Sequence, residues 1–185
     1  KIHSGISRNT DITVIDNRFI SERVNQWRNW NMKCVHGDIL DKDLIKKYCT
    51  DADVVHHLAG VTDVPRVKSE SNSENDTKIK LVAEDGTQNI LDVITDECKI
   101  ILPSTHVVYE GLEKVKTDIL EEEETKPVLA YASSKAINEE QLKKSGKNFI
   151  ILRLGSVYGY SSDTARIDIL PNLFSKISSQ DGTLK

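Results

Sequence analysis

A tyrosine and a lysine stand four residues apart in the segment YASSK, at Tyr131 and Lys135. On a helix these two positions share one face, so both side chains can act on the same group. A phenol titrates near pH ~10, too high for a base at neutral pH, but a nearby ammonium group favours the phenolate and lowers its pKa. Lys135 could therefore make Tyr131 a general base while its own donors hold a ribose hydroxyl. The spacing alone decides little, because such pairs occur by chance on many helices.

A third polar residue, Thr105, ends the apolar run KIILPST. Its hydroxyl group can orient a substrate alcohol or carbonyl oxygen. With Tyr131 and Lys135 it suggests the oxidation of an alcohol, in which Tyr131 takes the hydroxyl proton and a nicotinamide cofactor takes the hydride.

Acidic and small residues follow other apolar runs. An acid at the place of Asp16 in a dinucleotide-binding fold accepts hydrogen bonds from the adenosine ribose and repels a 2′-phosphate, which favours NAD over NADP. Asp38 can receive a base amino group while Ile39 lies against the ring. The small residues Ala59 and Gly60 would let the backbone approach the cofactor closely. For any one of these residues a turn-forming role is the better interpretation, and only their gathering at one edge favours a site.

Short β-rich runs alternate with helix-like segments along the chain. The runs at 11–16, 32–38, 52–60, 99–105 and 148–155 predict strands, and the longest predicted helix extends from about Glu74 to Glu97. Continuous apolar strands indicate a parallel sheet covered on both faces. We therefore expect an α/β domain with a doubly wound, Rossmann-like parallel sheet. Its ligand crevice would lie outside the carboxyl ends of the strands, where the candidate residues fall.

The sequence as a whole limits the classes of function. Its 185 residues suffice for one domain with a real core. A net charge of −4 and the lack of a basic run give no electrostatic reason to bind nucleic acid or an anionic membrane. No apolar run approaches the roughly 20 residues that span a bilayer and no signal peptide is visible, so we expect a cytoplasmic protein with a small-molecule substrate. Three cysteines without CxxC spacing predict reduced thiols and no metal site.

The blocks VIDN, GDILD, HLAG, DGTQNILD, PSTHVVYE, YASSK and LRLGSVYG, in this order and spacing, resemble the extended short-chain dehydrogenase/reductase family. The resemblance is to its NAD-dependent nucleotide-sugar epimerases and dehydratases, and it covers nearly the whole chain. It implies a catalytic triad of Thr105, Tyr131 and Lys135, with substrate contacts from Thr105 and Ser156. It also implies a set of NAD contacts at the strand ends: Asp16, Asn17, Asp38, Ile39, Leu58, Ala59, Gly60, Tyr131 and Lys135. A homodimer through the long helix and the helix of Tyr131 is expected from the family.

Two departures from the family concern the ends of the chain. Family members begin with a strand and a GxxGxxG turn that holds the pyrophosphate at a helix N-terminus, and no such turn precedes Asp16. That strand lies in the middle of the sheet, so we expect a gap there and about 25 further residues before Lys1. Family members also continue beyond Lys185 into a smaller substrate domain. We expect residues 1–160 to be the NAD-binding domain and 161–185 to begin the substrate-binding region.

Other departures concern the chemistry. At two positions where many members have Asn, this chain has Ala83 and Ser156. Ala83 can loosen a polar support of the active site, and Ser156 changes a substrate contact. Dehydratases of the family place an Asp-Glu pair after the catalytic Thr, where this chain has His106 and Val107, so elimination of water is disfavoured. The leading hypothesis is an NAD-dependent nucleotide-sugar epimerase that works through a transient 4-keto intermediate. The alternatives are an NAD-dependent sugar or alcohol oxidoreductase or dehydratase of the same family, and a non-catalytic dinucleotide-binding protein.

Overall fold

The computed structural model describes residues 10–61, 73–159 and 169–180. Within them strands and helices alternate as predicted. The strands are β1 (Thr13–Asp16), β2 (Lys33–His36), β3 (Val54–His56), β4 (Lys99–Thr105) and β5 (Asn148–Leu154). The helices are α1 (Ser21–Asn29), α2 (Lys42–Cys49), α3 (Ser73–Leu91), α4 (Ala130–Lys144) and α5 (Leu170–Ser179), and a short 3₁₀ helix at His106–Tyr109 follows β4. No helix in these ranges is both long enough and apolar enough to cross a membrane.

The strands form two parallel sheets. In the larger sheet the order is β3, β4, β5, with Val54 paired to Lys99 and Lys99 paired to Asn148. In the smaller sheet β1 pairs with β2; the amide of Lys33 donates to the Ile12 carbonyl, and further along the amide of Gly37 donates to the carbonyl of Asp16. Parallel pairing with helical crossovers is the doubly wound arrangement that the sequence predicted. In the described part of the chain, no strand pairs with both sheets.

The described residues divide into two compact units. The larger unit contains residues 15–17, 36–61 and 73–154, and the smaller unit contains 10–14, 18–35, 155–159 and 169–180. In the smaller unit Val24 on α1 is buried, and Gly159 donates its N–H to the side chain of Asn172 on α5 at 3.0 Å. The domain boundary predicted after residue 160 lies outside the described residues.

The hydrophobic core of the larger unit joins α2, α3 and α4 to the sheet. Ile100 and Leu102 of β4 and Leu142 of α4 are completely buried. β4 is the middle strand of its sheet, so its side chains are covered by neighbouring elements. The rest of the core comes from α2, α3 and the loops beside them: Ile39, Ile45, Cys49, Ile90, Leu91, Ile94 and Cys98. Cys49 and Cys98 are free thiols that pack there as small apolar groups.

The boundaries of α2 and α3 follow from local chemistry. Asp41 begins α2, where its Oδ1 accepts a hydrogen bond from the Leu44 amide at 3.0 Å. The predicted end of α3 near Glu97 is wrong, because α3 ends at Leu91. The β-branched residues at 93–95 are poor helix formers, and the carbonyl of Ile94 accepts a hydrogen bond from the side chain of Lys147 at 2.9 Å.

Candidate functional site

Three of the predicted cofactor contacts meet at the carboxyl ends of β1 and β2. Asn17 donates from Nδ2 to Oδ2 of Asp38 at 2.8 Å, and the Leu40 amide donates to Oδ1 at 2.9 Å. The backbone N–H of Leu40 and then the amide of Asn17 hold the pKa of Asp38 below its ordinary value. The amide of Gly37 donates to the Asp16 carbonyl at 3.1 Å, which joins the two strand ends. Asp16, Asn17 and Asp38 are therefore brought together, with Asp38 held as a carboxylate.

Ile39, which follows this acid, lies in the hydrophobic core. It is 9% exposed, and a Cβ atom added to Gly86 of α3 would lie 2.8 Å from its Cγ2. Its carbonyl accepts a hydrogen bond from Nδ2 of Asn89 at 3.0 Å. Only glycine at position 86 lets the helix pass this closely over Ile39. The predicted contact of Ile39 with an adenine ring stays a prediction.

Lys135 lies on α4 with its ammonium group at the end of β3. The side chain is 7% exposed, and its Nζ would lie 4.0 Å from a Cβ atom added to Gly60. Burial lowers the pKa of Lys135, because the charged form loses its water. The residues at this strand end are exposed, with Leu58 at 69%. A buried ammonium group thus lies beside an accessible stretch of small residues, Ala59 and Gly60.

Thr105 and Tyr131 lie on the two elements next to this edge. Thr105 is the last residue of β4 and is 8% exposed, and its Oγ1 accepts a hydrogen bond from the Val107 amide at 3.3 Å. Tyr131 is the second residue of α4 and is half-buried, one helical turn before Lys135. Because α4 packs against β4, the three residues of the predicted triad belong to one packed pair of elements.

The start of α4 is anchored by Glu110, which follows the 3₁₀ helix. The residue at the helix N-terminus, Leu129, has no capping side chain of its own. Oε1 of Glu110 accepts hydrogen bonds from the backbone amides of Val128 at 3.0 Å and Leu129 at 2.9 Å. A carboxylate at this end of a helix is also favoured by the helix dipole. Glu110 therefore fixes the place at which the helix of Tyr131 begins, a role that the sequence did not suggest.

A buried chain of hydrogen bonds next to Lys135 was also missed. Nε2 of His57 lies 2.8 Å from Oγ1 of Thr87, and Nδ2 of Asn138 donates to this oxygen at 2.7 Å and to the Ala83 carbonyl at 2.8 Å. All four of these residues are buried. Their spacing gives one hint, since Ala83 and Thr87 are four apart on α3 and Asn138 follows Lys135 by three. Which helices face each other is a tertiary property that the spacing does not give.

His57 itself has an unusual environment. Its Nδ1 is buried and, within the described residues, has no hydrogen-bond partner. Burial and then the positive charge of Lys135 lower the pKa of His57 to about 4, so the ring is neutral at pH 7. The neighbouring His56, the last residue of β3, is exposed, so the two adjacent imidazole rings lie in different environments.

A buried ion pair joins α4 to β4 and β5. Arg153 donates from Nη2 to Oε2 of Glu139 at 2.6 Å, and Ser104 donates from Oγ to Oε1 at 2.6 Å. Burial raises the pKa of Glu139, but the bonds from Arg153 and Ser104 outweigh it and the pKa lies below its ordinary value. Arg153 also donates to the hydroxyl of Tyr109 and lies over its ring, 5.0 Å from the centroid. These contacts hold Ser104, the residue that precedes Thr105, in place.

A cleft of about 510 Å³ opens directly after Thr105 in the chain. The 3₁₀ helix, a loop and β5 line it through eight residues: His106, Val107, Tyr109, Glu110, Ile119, Leu120, Glu121 and Arg153. His106 is exposed, and its Nδ1 lies 3.1 Å from the Leu154 carbonyl. Ser156, the other predicted substrate contact, is exposed in the smaller unit, and its contact with substrate stays a prediction.

The residues at the strand ends fit NAD. Asp38 and Asn17 supply a carboxylate and an amide, Gly60 leaves space, and Lys135 supplies a buried ammonium group at that space. Nδ1 of His57 is a buried polar atom in the same region. Between residues 10 and 16 the described chain has no glycine-rich turn, so the described residues lack the expected cradle for the pyrophosphate. Nor, in the ranges described, do three His, Cys, Asp or Glu side chains gather as they would around a metal ion.

Known proteins resemble this chain in sequence and in fold. The NAD dependent epimerase/dehydratase family matches residues 2–184 of the chain. A protein of Methanocaldococcus jannaschii, named as an uncharacterized membrane protein, is 31% identical over 83 residues, which is 45% of this chain and 23% of that protein.

Two solved structures show the fold. UDP-glucose 4-epimerase of Thermotoga maritima, solved with UDP-glucose, is 20% identical with a TM-score of 0.73, and the match covers 99% of this chain and 58% of that chain. DesIV of Streptomyces venezuelae, a dTDP-glucose 4,6-dehydratase solved with NAD and TYD, is 22% identical with a TM-score of 0.67, and the match covers 94% and 54%. This chain therefore spans a little over half the length of these enzymes.

Proposed function

Since this chain belongs to the NAD dependent epimerase/dehydratase family, we propose that it carries the NAD site and catalytic residues of a nucleotide-sugar epimerase that works through a transient 4-keto intermediate. The observation that carries the proposal is the position of Lys135. Its ammonium group is buried at the open edge beside Gly60, one helical turn after Tyr131. Burying a charge is costly, and a protein that only bound a dinucleotide would have no need to place it one helical turn from a tyrosine.

Each residue of the edge has a role in this proposal. Asp16, Asn17 and Asp38 would hold the adenosine part of NAD, and Leu58, Ala59 and Gly60 would let it lie against the end of β3. Lys135 would donate to the ribose next to the nicotinamide. When bound, NAD supplies a group that accepts a hydride from the sugar and returns it.

The chain's own residues move the proton. Lys135 stabilises the phenolate of Tyr131, which takes the proton of the sugar hydroxyl as a general base and later gives it back. The amide of Val107 donates to Oγ1 of Thr105, which leaves the Thr105 O–H free to donate to the substrate oxygen. The hydrogen bond from the Thr105 hydroxyl can hold the substrate oxygen as it changes from a hydroxyl to a carbonyl. No net oxidation results, because the hydride returns to the opposite face of the same carbon.

The residues after Thr105 favour epimerisation over dehydration. Loss of water from a sugar needs an acid and a base at the ring, and His106 and Val107 supply no carboxylate there. An NAD-dependent oxidoreductase for a sugar or another alcohol would use the same triad, and it is the second candidate. The homodimer and the cytoplasmic location stay predictions from the sequence.

The test is the substitution Tyr131→Phe in the whole natural protein. We expect loss of turnover of nucleotide sugars with NAD still bound, because the ring stays in place and only the hydroxyl is lost. Tyr48→Phe on α2 is the matched control and should leave turnover unchanged. Turnover at the wild-type rate by the Tyr131 variant would contradict the proposal. In the wild type, an inverted carbon without NADH in solution identifies an epimerase, whereas a stoichiometric release of NADH identifies the oxidoreductase.

A further inference from the structure

We propose that Asn138 is a positioning residue for Lys135, and that it acts by tying α4 to α3 and to the end of β3 through one buried amide. The proposal rests on the function proposed above, since it concerns the lysine of that site. Nothing in the sequence marked Asn138, and neither NAD nor a sugar needs to touch it for the effect described.

The amide nitrogen of Asn138 makes two short hydrogen bonds to α3. The side chain is 3% exposed, and its Nδ2 donates to the Ala83 carbonyl at 2.8 Å and to Oγ1 of Thr87 at 2.7 Å. An amide nitrogen has two N–H donors, and both therefore have partners on α3. In a buried site these bonds are directional and have no competing water. Sliding or rotation of α4 along α3 would break both of them together.

The same chain of bonds reaches the other side of the site. Thr87 Oγ1 also hydrogen-bonds Nε2 of His57 at 2.8 Å, and His57 lies three residues before Gly60. Lys135 lies three residues before Asn138, on the same face of α4. The chain of side chains from Asn138 through Thr87 to His57 therefore joins α4, close to Lys135, to the segment that leads to Gly60. The distance from the ammonium group to the strand end depends on that chain.

Ala83 determines which helix supplies the polar side chain in this chain of hydrogen bonds. The sequence suggested that Ala83 loosens a polar support, because it brings no polar side chain to this part of α3. The structure shows that Ala83 contributes its carbonyl, while the polar side chain comes from the facing helix at Asn138. The support is present, and its amide belongs to α4.

Gln141 on α4 offers a matched control. Its Nε2 donates to the Glu84 carbonyl of α3 at 2.9 Å, so it joins the same two helices through the same kind of bond. It is only half-buried, its Oε1 lies 3.5 Å from Nδ2 of Asn138, and among the described residues no hydrogen bond joins it to Thr87. Asn138→Ala and Gln141→Ala thus separate the positioning of Lys135 from the packing of two helices.

The readout is the ionisation of Tyr131, because displacement of Lys135 raises the pKa of the phenol. We expect Asn138→Ala to move the alkaline rise of kcat/KM to higher pH by about one unit, which lowers kcat/KM about tenfold at neutral pH. Gln141→Ala should leave that pH profile unchanged even if it lowers the melting temperature. The phenolate absorbance without NAD or sugar, taken as the difference from Tyr131→Phe, should shift in the same direction.

A second variant guards against misfolding. In Asn138→Leu the side chain keeps nearly its volume but has no N–H donor, and we expect the same shift as in Asn138→Ala. An unchanged profile in Asn138→Ala, or an Asn138→Leu variant whose profile equals that of the wild type, would overturn the proposal. A phenolate shift in a protein that turns over no nucleotide sugar would retain the positioning role and reject the proposed function. If the wild type turns over nucleotide sugars and Asn138→Ala shows no phenolate shift, the proposed function is retained and the positioning role of Asn138 is rejected.

Discussion

The ammonium nitrogen of Lys135 lies 4.0 Å from the position that a Cβ atom on Gly60 would occupy. The distance is an ordinary contact, and Gly60 is not among the glycines of the described chain with a positive φ. A methyl group therefore fits at residue 60, while a longer side chain meets the ammonium group or covers the exposed strand end. The glycine is needed for open space and not for its backbone freedom.

Substitutions at Gly60 follow from this geometry. We expect Gly60→Ala to bind NAD nearly as well as the wild type, and Gly60→Leu to bind it at least about tenfold more weakly, or 1.4 kcal/mol. Titration calorimetry of both variants with NAD measures the difference, and circular dichroism checks the fold. A leucine variant with wild-type affinity would show that NAD does not use this edge.

Glu110 should control activity through the start of α4. Glu110→Ala removes the acceptor for two backbone amides, and we expect a loss of about 1 kcal/mol in the free energy of unfolding together with a fall in kcat. Glu110→Gln keeps an oxygen that can accept both bonds and should lie close to the wild type. Urea unfolding and initial rates measure the two effects. Equal behaviour of the two variants would mean that these bonds do not hold the helix.

His57 makes stability depend on pH in a definite direction. Its pKa of about 4 in the folded protein lies below the ordinary value of 6.5, so the unfolded chain binds the proton first as the pH falls. The stabilisation is complete above pH 6.5 and is lost as the pH falls toward 4, and it amounts to about 3 kcal/mol. The measurement is urea unfolding between pH 7 and 4 for the wild type and for His57→Gln. Parallel curves for the two proteins would show that His57 titrates normally.

The buried pair of Arg153 and Glu139 predicts an asymmetric response to substitution. Arg153→Leu leaves Glu139 charged and buried with only the more distant Lys143 near it, at 3.9 Å, and we expect it to cost about 3–5 kcal/mol of the unfolding free energy. Adding Glu139→Gln removes the stranded charge and should recover a large part of that loss. A double-mutant cycle by urea unfolding measures the coupling. Additive losses would mean that the two charges do not interact.

The order of strands and helices was predictable from the sequence because it follows from the periods of apolar residues. The meeting of Asp16 and Asp38 was predictable for a similar reason, since neighbouring parallel strands end on the same side of their sheet. That NAD lies against them and against Gly60 stays a prediction. The features that the sequence did not reveal depend on which surfaces face each other. Asn138 meets Thr87 across 51 residues of chain. Ile39 turns into the core because Gly86 leaves room for it, and no local pattern around either residue shows this.

The pairing of the larger sheet also bears on how quickly the chain can fold. Val54 pairs with Lys99, and Lys99 pairs with Asn148, so neighbouring strands come from parts of the chain about 50 residues apart. Each pairing must close a long loop, and the loss of chain entropy comes before the hydrogen bonds and apolar contacts that offset it. Domains with such distant pairings fold slowly, whereas α3 and α4 can form early from local contacts. The helix that carries Tyr131 and Lys135 would then form before β3, the strand whose end Lys135 faces, has paired with β4.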